Sequence, residues 1–187
     1  MSDLAGFVAL GFHHITDVAA MDHLLFLVAL AATYQGRRWR EALWVISAFT
    51  VGHSITLALA ATHVVRLPDA LIEFLIPLTI VATGLHNLRY RPGATGPGWR
   101  SALAGGFGLV HGAGFANYLE RLFDGSVVLP LFGFNLGIEL GQMVVLGLIA
   151  IVLAAMDRLM PVRLRTVGVS TAAAVAAAGM AVQRIPW

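Results

Sequence analysis

The sequence predicts an all-α fold, a polytopic membrane protein built as a bundle of six transmembrane helices. Three observations point there. The 187 residues are 58% hydrophobic and 12% charged, with mean hydropathy +0.81, whereas soluble domains carry roughly 25% charged residues. Six apolar segments approach the length of about 20 residues needed to cross a ~30 Å hydrocarbon core. Within those segments lie three histidines and three carboxylates, Asp22, His23, His53, Glu73, His111 and Glu139. A lone charge at the bilayer centre costs roughly 2.5–3.5 kcal/mol on insertion scales, so such groups are expected to find one another or a cation.

The segments span approximately 16–34, 41–62, 68–89, 100–119, 127–153 and 164–182. The shorter apolar piece Leu4 to Phe12 either lies at the membrane interface or extends the first helix. Gln35-Gly36-Arg37-Arg38 closes the first segment, and Arg66-Leu67-Pro68-Asp69 makes a tight link before the third. The Pro/Gly-rich run Arg91 to Gly98 is a loop, and Asp124-Gly125 and Met160-Pro161 close the fourth and fifth segments. The chain reads as a single integral membrane domain, residues 1–187. Met1 to Gly11 has no basic n-region, so a cleaved signal peptide is not expected.

Arginine placement sets the expected orientation, since Lys and Arg concentrate in cytoplasmic loops. Arg37, Arg38 and Arg40 follow segment one, Arg89, Arg91 and Arg100 follow segment three, and Arg158, Arg163 and Arg165 follow segment five. The other side carries Arg66, Arg121 and Arg184. Both termini are therefore expected outside a bacterial-type inner membrane. Trp39, Trp99 and Trp187 fit interfacial anchors. No basic run tracks a nucleic-acid backbone. Cysteine is absent, which excludes thiolate chemistry and leaves nitrogen and oxygen ligation.

Depth follows from about 1.5 Å of rise per residue. Counting from the outer ends puts Asp22 and His23 roughly 10 Å in, His53 about 14 Å, Glu73 about 8 Å, His111 about 12 Å, and Asn135 and Glu139 about 12–18 Å. Imidazole with carboxylate is a donor set for a divalent metal ion. The metal candidates are His23, His53, His111, Asp22 and Glu139. No Lys or Arg lies at the expected depth of Asp22, so an ion pair for helix docking is the weaker account of it. Asp22 can also accept the second ring N–H of a ligating histidine.

The second group of candidates comprises Asn135, Gln142, Glu73, Ser54, His14 and Asp17, as secondary or pathway residues. Asn135, Glu139 and Gln142 share a helix face, and Gly133, Gly137 and Gly141 fall about 200° away for helix packing. Ser54 and Thr50 share a face and commonly bond their own helix. Gly108 and Gly112 form a GxxxG pair that suits close packing beside His111. Pro77, four residues after Glu73, can kink its helix. His13, His14 and Asp17 at the outer mouth are either a cation-capture group or ordinary exposed residues. His63 and His86 are taken as uninvolved.

The ordered pieces His14-Ile15, Asp22-His23-Leu24-Leu25-Phe26-Leu27, Phe49-Thr50-Val51-Gly52-His53-Ser54-Ile55-Thr56-Leu57, Ile72-Glu73-Phe74-Leu75-Ile76, Phe107 to Ala116 and Phe134 to Gln142 resemble the HupE/UreJ family of small membrane proteins. The likeness spans roughly residues 11 to 150. It implies a permease of the nickel or nickel/cobalt type, associated with hydrogenase and urease gene sets. Asp17-x4-Asp22-His23 also has the spacing of the His-x4-Asp-His signature of larger nickel/cobalt transporters, with Asp in first place.

The leading expectation is a transporter that takes a first-row divalent cation (nickel, zinc or cobalt) inward, with the lipid bilayer and the cation as its partners. Glu73 would be an entrance or proton-coupled group. The alternative is an intramembrane zinc-dependent hydrolase, in which Asp22 or Glu139 is the general base on a metal-bound water and Ser54 orients substrate. A third reading, a metal sensor or accessory subunit, needs a partner for which the short loops offer little surface. A polar route past the site, for which Thr79, Thr83, His86 and Asn87 are the candidates, would favour transport, whereas a closed apolar floor below the site with a side opening to lipid would favour the hydrolase. A homo-oligomer is left open.

Overall fold

A computed structural model describes residues 4–18, 20–35, 38–65, 68–89, 97–120 and 128–186. The described residues form seven helices and no strand: α1 (Leu4–Thr16), α2 (Met21–Ala31), α3 (Trp39–Ala61), α4 (Asp69–Arg89), α5 (Pro97–Glu120), α6 (Val128–Met156) and α7 (Val162–Gln183). Arg37, Arg66, Arg91, Arg121, Trp187 and the side chain of Trp39, all used above to orient the chain, lie outside the described residues.

Segments two to six each coincide with one helix, α3 to α7. The first does not. The chain is helical from Leu4, leaves the helix at Asp17, and resumes it at Met21. The Asp17 amide donates to His13 O at 2.8 Å, and the His23 amide to Ala20 O at 3.3 Å. What draws Leu4–Thr16 into a helix of its own is the glycine face of α6. A methyl group at Gly133 would strike Phe7, at Gly137 the Val8 carbonyl, and at Gly141 the Ile15 side chain. Reciprocally, one at Gly11 would strike the Phe134 carbonyl. Two backbones in contact gain van der Waals packing that lipid cannot supply.

The same device joins two more pairs. On α3 and α5, a methyl at Gly52 would meet the Gly105 carbonyl, at Gly108 the Phe49 carbonyl, and at Gly112 the His53 carbonyl. On α4 and α7, Gly84 lies against Ala174 and the Ser170 carbonyl. Close approach thus fixes the register of three helix pairs, and α2 is inserted among α4, α6 and α7.

Helix α2 has only 11 residues, about 16 Å at 1.5 Å per residue, too short to cross a bilayer. Its last carbonyls, which have no partner within the helix, must be satisfied by protein. Asn87 Nδ2 donates to Ala29 O at 2.6 Å, Arg100 Nη2 to Leu30 O at 3.2 Å, and Thr166 Oγ1 to Ala32 O at 2.9 Å. Arg165 Nη2 donates to Tyr34 O at 3.2 Å, and its Nε lies 2.8 Å from Asp157 Oδ1. Two guanidinium groups beside a helix C-terminus also oppose the negative end of its dipole.

Among the described residues, four helices are long and apolar enough to cross a membrane: Arg40–Ala61, Asp69–Arg89, Val128–Met156 and Val162–Gln183. The bent pair α1 and α2 makes a fifth if it counts as one span. Helix α5 falls outside that set, although it has 24 residues, because glycines together with Arg100 and His111 dilute its apolar content.

Candidate metal centre

Each histidine is carried to the site by a packing feature. The α1–α6 contact buries Phe7, Gly11 and Ile15, and His14 follows Gly11 by three positions on that face. Asp22 and His23 open α2, where an acid suits the positive end of the helix dipole. The α3–α5 seam, closed over Gly108 and Gly112, presses His53 against α5, which carries His111.

His14, His23 and His53 can each offer one ring nitrogen so that all three atoms lie within 4.8 Å of one another. A tetrahedral metal with M–N of about 2.0–2.1 Å holds its nitrogens ~3.3 Å apart, so small rotations complete the set. Ring centroids are separated by 4.6 Å between His14 and His23, 6.1 Å between His14 and His53, and 6.4 Å between His23 and His53. His111 adjoins the trio, 5.3 Å from His23. Its Nε2 is 2.9 Å from Thr79 Oγ1.

His23, His53 and His111 are buried, His53 at 0% exposure and His111 at 1%, and His14 is half-buried. Both nitrogens of His23 and of His53, Nε2 of His14 and Nδ1 of His111 have no hydrogen-bond partner. A buried polar atom left so costs about 1–3 kcal/mol. Every neutral imidazole carries a lone pair as well as an N–H, and a cation shared among the lone pairs removes that cost for one nitrogen of each ring. The donor chemistry fits a borderline divalent ion.

His14, His23 and His111 line an open cavity of about 280 Å³ together with Asp22, Glu73 and Arg184. Arg184 changes the reading of Asp22. No basic residue was expected at that depth, yet the end of α7 supplies one from 162 positions away: Arg184 Nη1 donates to Asp22 Oδ2 at 2.9 Å and Nη2 to Oδ1 at 3.4 Å. Nη1 also reaches the Glu73 carbonyl at 3.5 Å.

Other candidates lie apart from the three-histidine group. Glu139 accepts a hydrogen bond from Ser47 of α3 and does not line the cavity. Gln142, fully buried, accepts from Thr50 Oγ1 at 2.9 Å. Ser54 donates to the Thr50 carbonyl at 2.6 Å. Asn135 is half-buried with Oδ1 unpartnered. Asp17, His13 and His63 are exposed, and Glu73 is exposed at the cavity.

Aromatic rings floor the site. His111 rests 5.2 Å from Phe26 and 5.1 Å from Phe49, which are 4.8 Å apart. Beyond Phe26 a second cavity, about 220 Å³, is lined by Thr83, His86, Asn87 and Arg100 among others. Thr79, Thr83 and Asn87, spaced four apart on α4 and all buried, form a polar stripe from His111 to that inner cavity.

An all-helical bundle with apolar helices and an internal histidine cluster defines an integral membrane protein with a candidate cation site. The chain belongs to the HupE/UreJ family: the model of that family, described as HupE / UreJ protein, matches residues 1–187, the whole chain. Searches of curated proteins and of solved structures found no match.

Proposed function

We propose that the protein is a permease for a first-row divalent cation, of the nickel/cobalt type that the family resemblance implies. The observation that carries it is the convergence of His14, His23 and His53, from three helices, with buried ring nitrogens that nothing else engages. His111 completes the inner wall, and Asp22 and Glu73 supply negative charge at the mouth. In this reading α1 and α2 are one broken span, α3 to α7 are five more, and both termini lie outside the inner membrane. Broken helices whose ends meet at a substrate site are a recurrent transporter device. Glu139 and Gln142 brace α6 against α3 through Ser47 and Thr50.

The α4 stripe favours transport over hydrolysis, because it continues polar surface past the site toward the inner cavity. The Phe26–Phe49 floor closes the direct route in this arrangement, so passage requires those rings to move.

The test is metal binding and uptake. Alanine at His14, His23 or His53 is expected to weaken Ni²⁺ or Co²⁺ binding by more than about a hundredfold, beyond the range for loss of a mere supporting contact, and to lower uptake accordingly. Calorimetry on purified protein and radiometal uptake by cells measure the two. Undiminished binding by correctly inserted variants would falsify the proposal.

A further inference from the structure

The cavity that takes the histidines already contains a cation, and it is part of the chain. Arg184 lines the same space as Asp22, Glu73, His14, His23 and His111. Its guanidinium engages both oxygens of Asp22, the residue next to His23. A divalent ion on His23 would bring two further positive charges into the cavity that Arg184 lines, and like charges repel. Asp22 cannot serve both at full strength.

Arg184 is also free to leave. It is the C-cap of α7, past the last helical residue Gln183. Its amide is held by a single bond to Ala181 O at 3.1 Å. Its side chain is 31% exposed against 16% for Asp22. Withdrawal into solvent therefore breaks no helix ladder.

We propose that Arg184 is a specificity-determining counter-cation: it holds Asp22 while the site lacks cargo, and a divalent ion displaces it. A monovalent ion brings no more charge than the guanidinium it must replace, whereas a divalent ion brings twice as much. The pair thus sets a valence threshold for entrance. Arginine suits the task because it stays charged at every relevant pH. This inference rests on the cation-site reading above.

The absence of cysteine permits a direct test on the full-length protein in detergent. Ile185→Cys introduces a single labelling site beside Arg184. Ni²⁺ is expected to raise its maleimide labelling rate in the otherwise native chain. Arg184→Gln is expected to bind Ni²⁺ about two- to fivefold more tightly, the range a partly exposed ion pair is worth, with labelling fast and no longer metal-dependent. Arg184→Lys should restore the native pattern. Ni²⁺ binding of unchanged affinity in Arg184→Gln, with labelling indifferent to metal in the native background, would make the pair a mere brace and overturn the inference alone. Failure of the native chain to bind Ni²⁺, Co²⁺ or Zn²⁺ at all would overturn the cation site and this inference with it.

Discussion

The two ends of α2 are built on opposite principles. At its C-terminal end the buried carbonyls of Ala29, Leu30 and Ala32 each receive a donor, from Asn87, Arg100 and Thr166. At its N-terminal end His23 sits among imidazoles with neither ring nitrogen engaged. Satisfied polar groups in an apolar bundle hold helices in place. Unsatisfied ones, collected at one spot, cost stability unless a ligand repays them. The contrast separates scaffold from site within one short helix.

The comparison can be broken most decisively at the scaffold end. Arg165 is buried and tied to Asp157 and the Tyr34 carbonyl. Arg165→Met should destabilise the protein by about 3 kcal/mol, the lower range for removing one partner of a buried pair. His53→Ala should cost much less than its burial suggests, since it removes no hydrogen bond. Thermal unfolding in detergent compares them, and equal losses would erase the distinction.

A smaller effect is expected at the seam that positions the site. Gly112→Ala forces α5 off the His53 carbonyl, an overpacking cost of about 1–3 kcal/mol. It should lower both stability and metal affinity, because His53 and His111 face each other across that seam. Melting and calorimetry on the same sample test this, and an affinity loss without a stability loss would argue against it.

The smallest effect is the mildest perturbation, acid. A histidine binds metal through its neutral form, and its reference pKa is about 6.5. Protonation competes with the cation, so affinity is expected to fall as the solution is acidified and not to rise. A Ni²⁺ titration between acid and neutral pH checks the sign, and affinity that rises on acidification contradicts histidine ligation.

Much of this was legible in the sequence because it is local. Apolar runs of the right length marked α3 to α7, and the period of Gly133, Gly137 and Gly141 marked a packing face that α1 covers. Depth counting put His23, His53 and His111 at one expected level, and the rings of His23 and His111 adjoin. The break between α1 and α2 was not legible: Asp17-Val18-Ala19-Ala20 contains neither Gly nor Pro, and the reason for it is tertiary, the seat of α1 on α6. His14 was consequently assigned to the mouth, although its spacing after Phe7 and Gly11 was a usable sign that it shares their buried face. The Arg184–Asp22 pair joins opposite ends of the chain, and no local pattern carries such information. Glu139 has the composition of a ligand, and only coordinates reveal that Ser47 engages it.

The three histidine donors ride on separate mountings. His14 belongs to the α1–α6 weld, His53 to the α3–α5 weld, and His23 to α2, wedged among α4, α6 and α7. Each weld is backbone against backbone and resists bending, so strain moves whole blocks rather than single rings. A slide of one block by a fraction of an ångström alters the bite of the cluster, as the jaws of a calliper do, and under the permease proposal such a slide would gauge the radius of a bound ion.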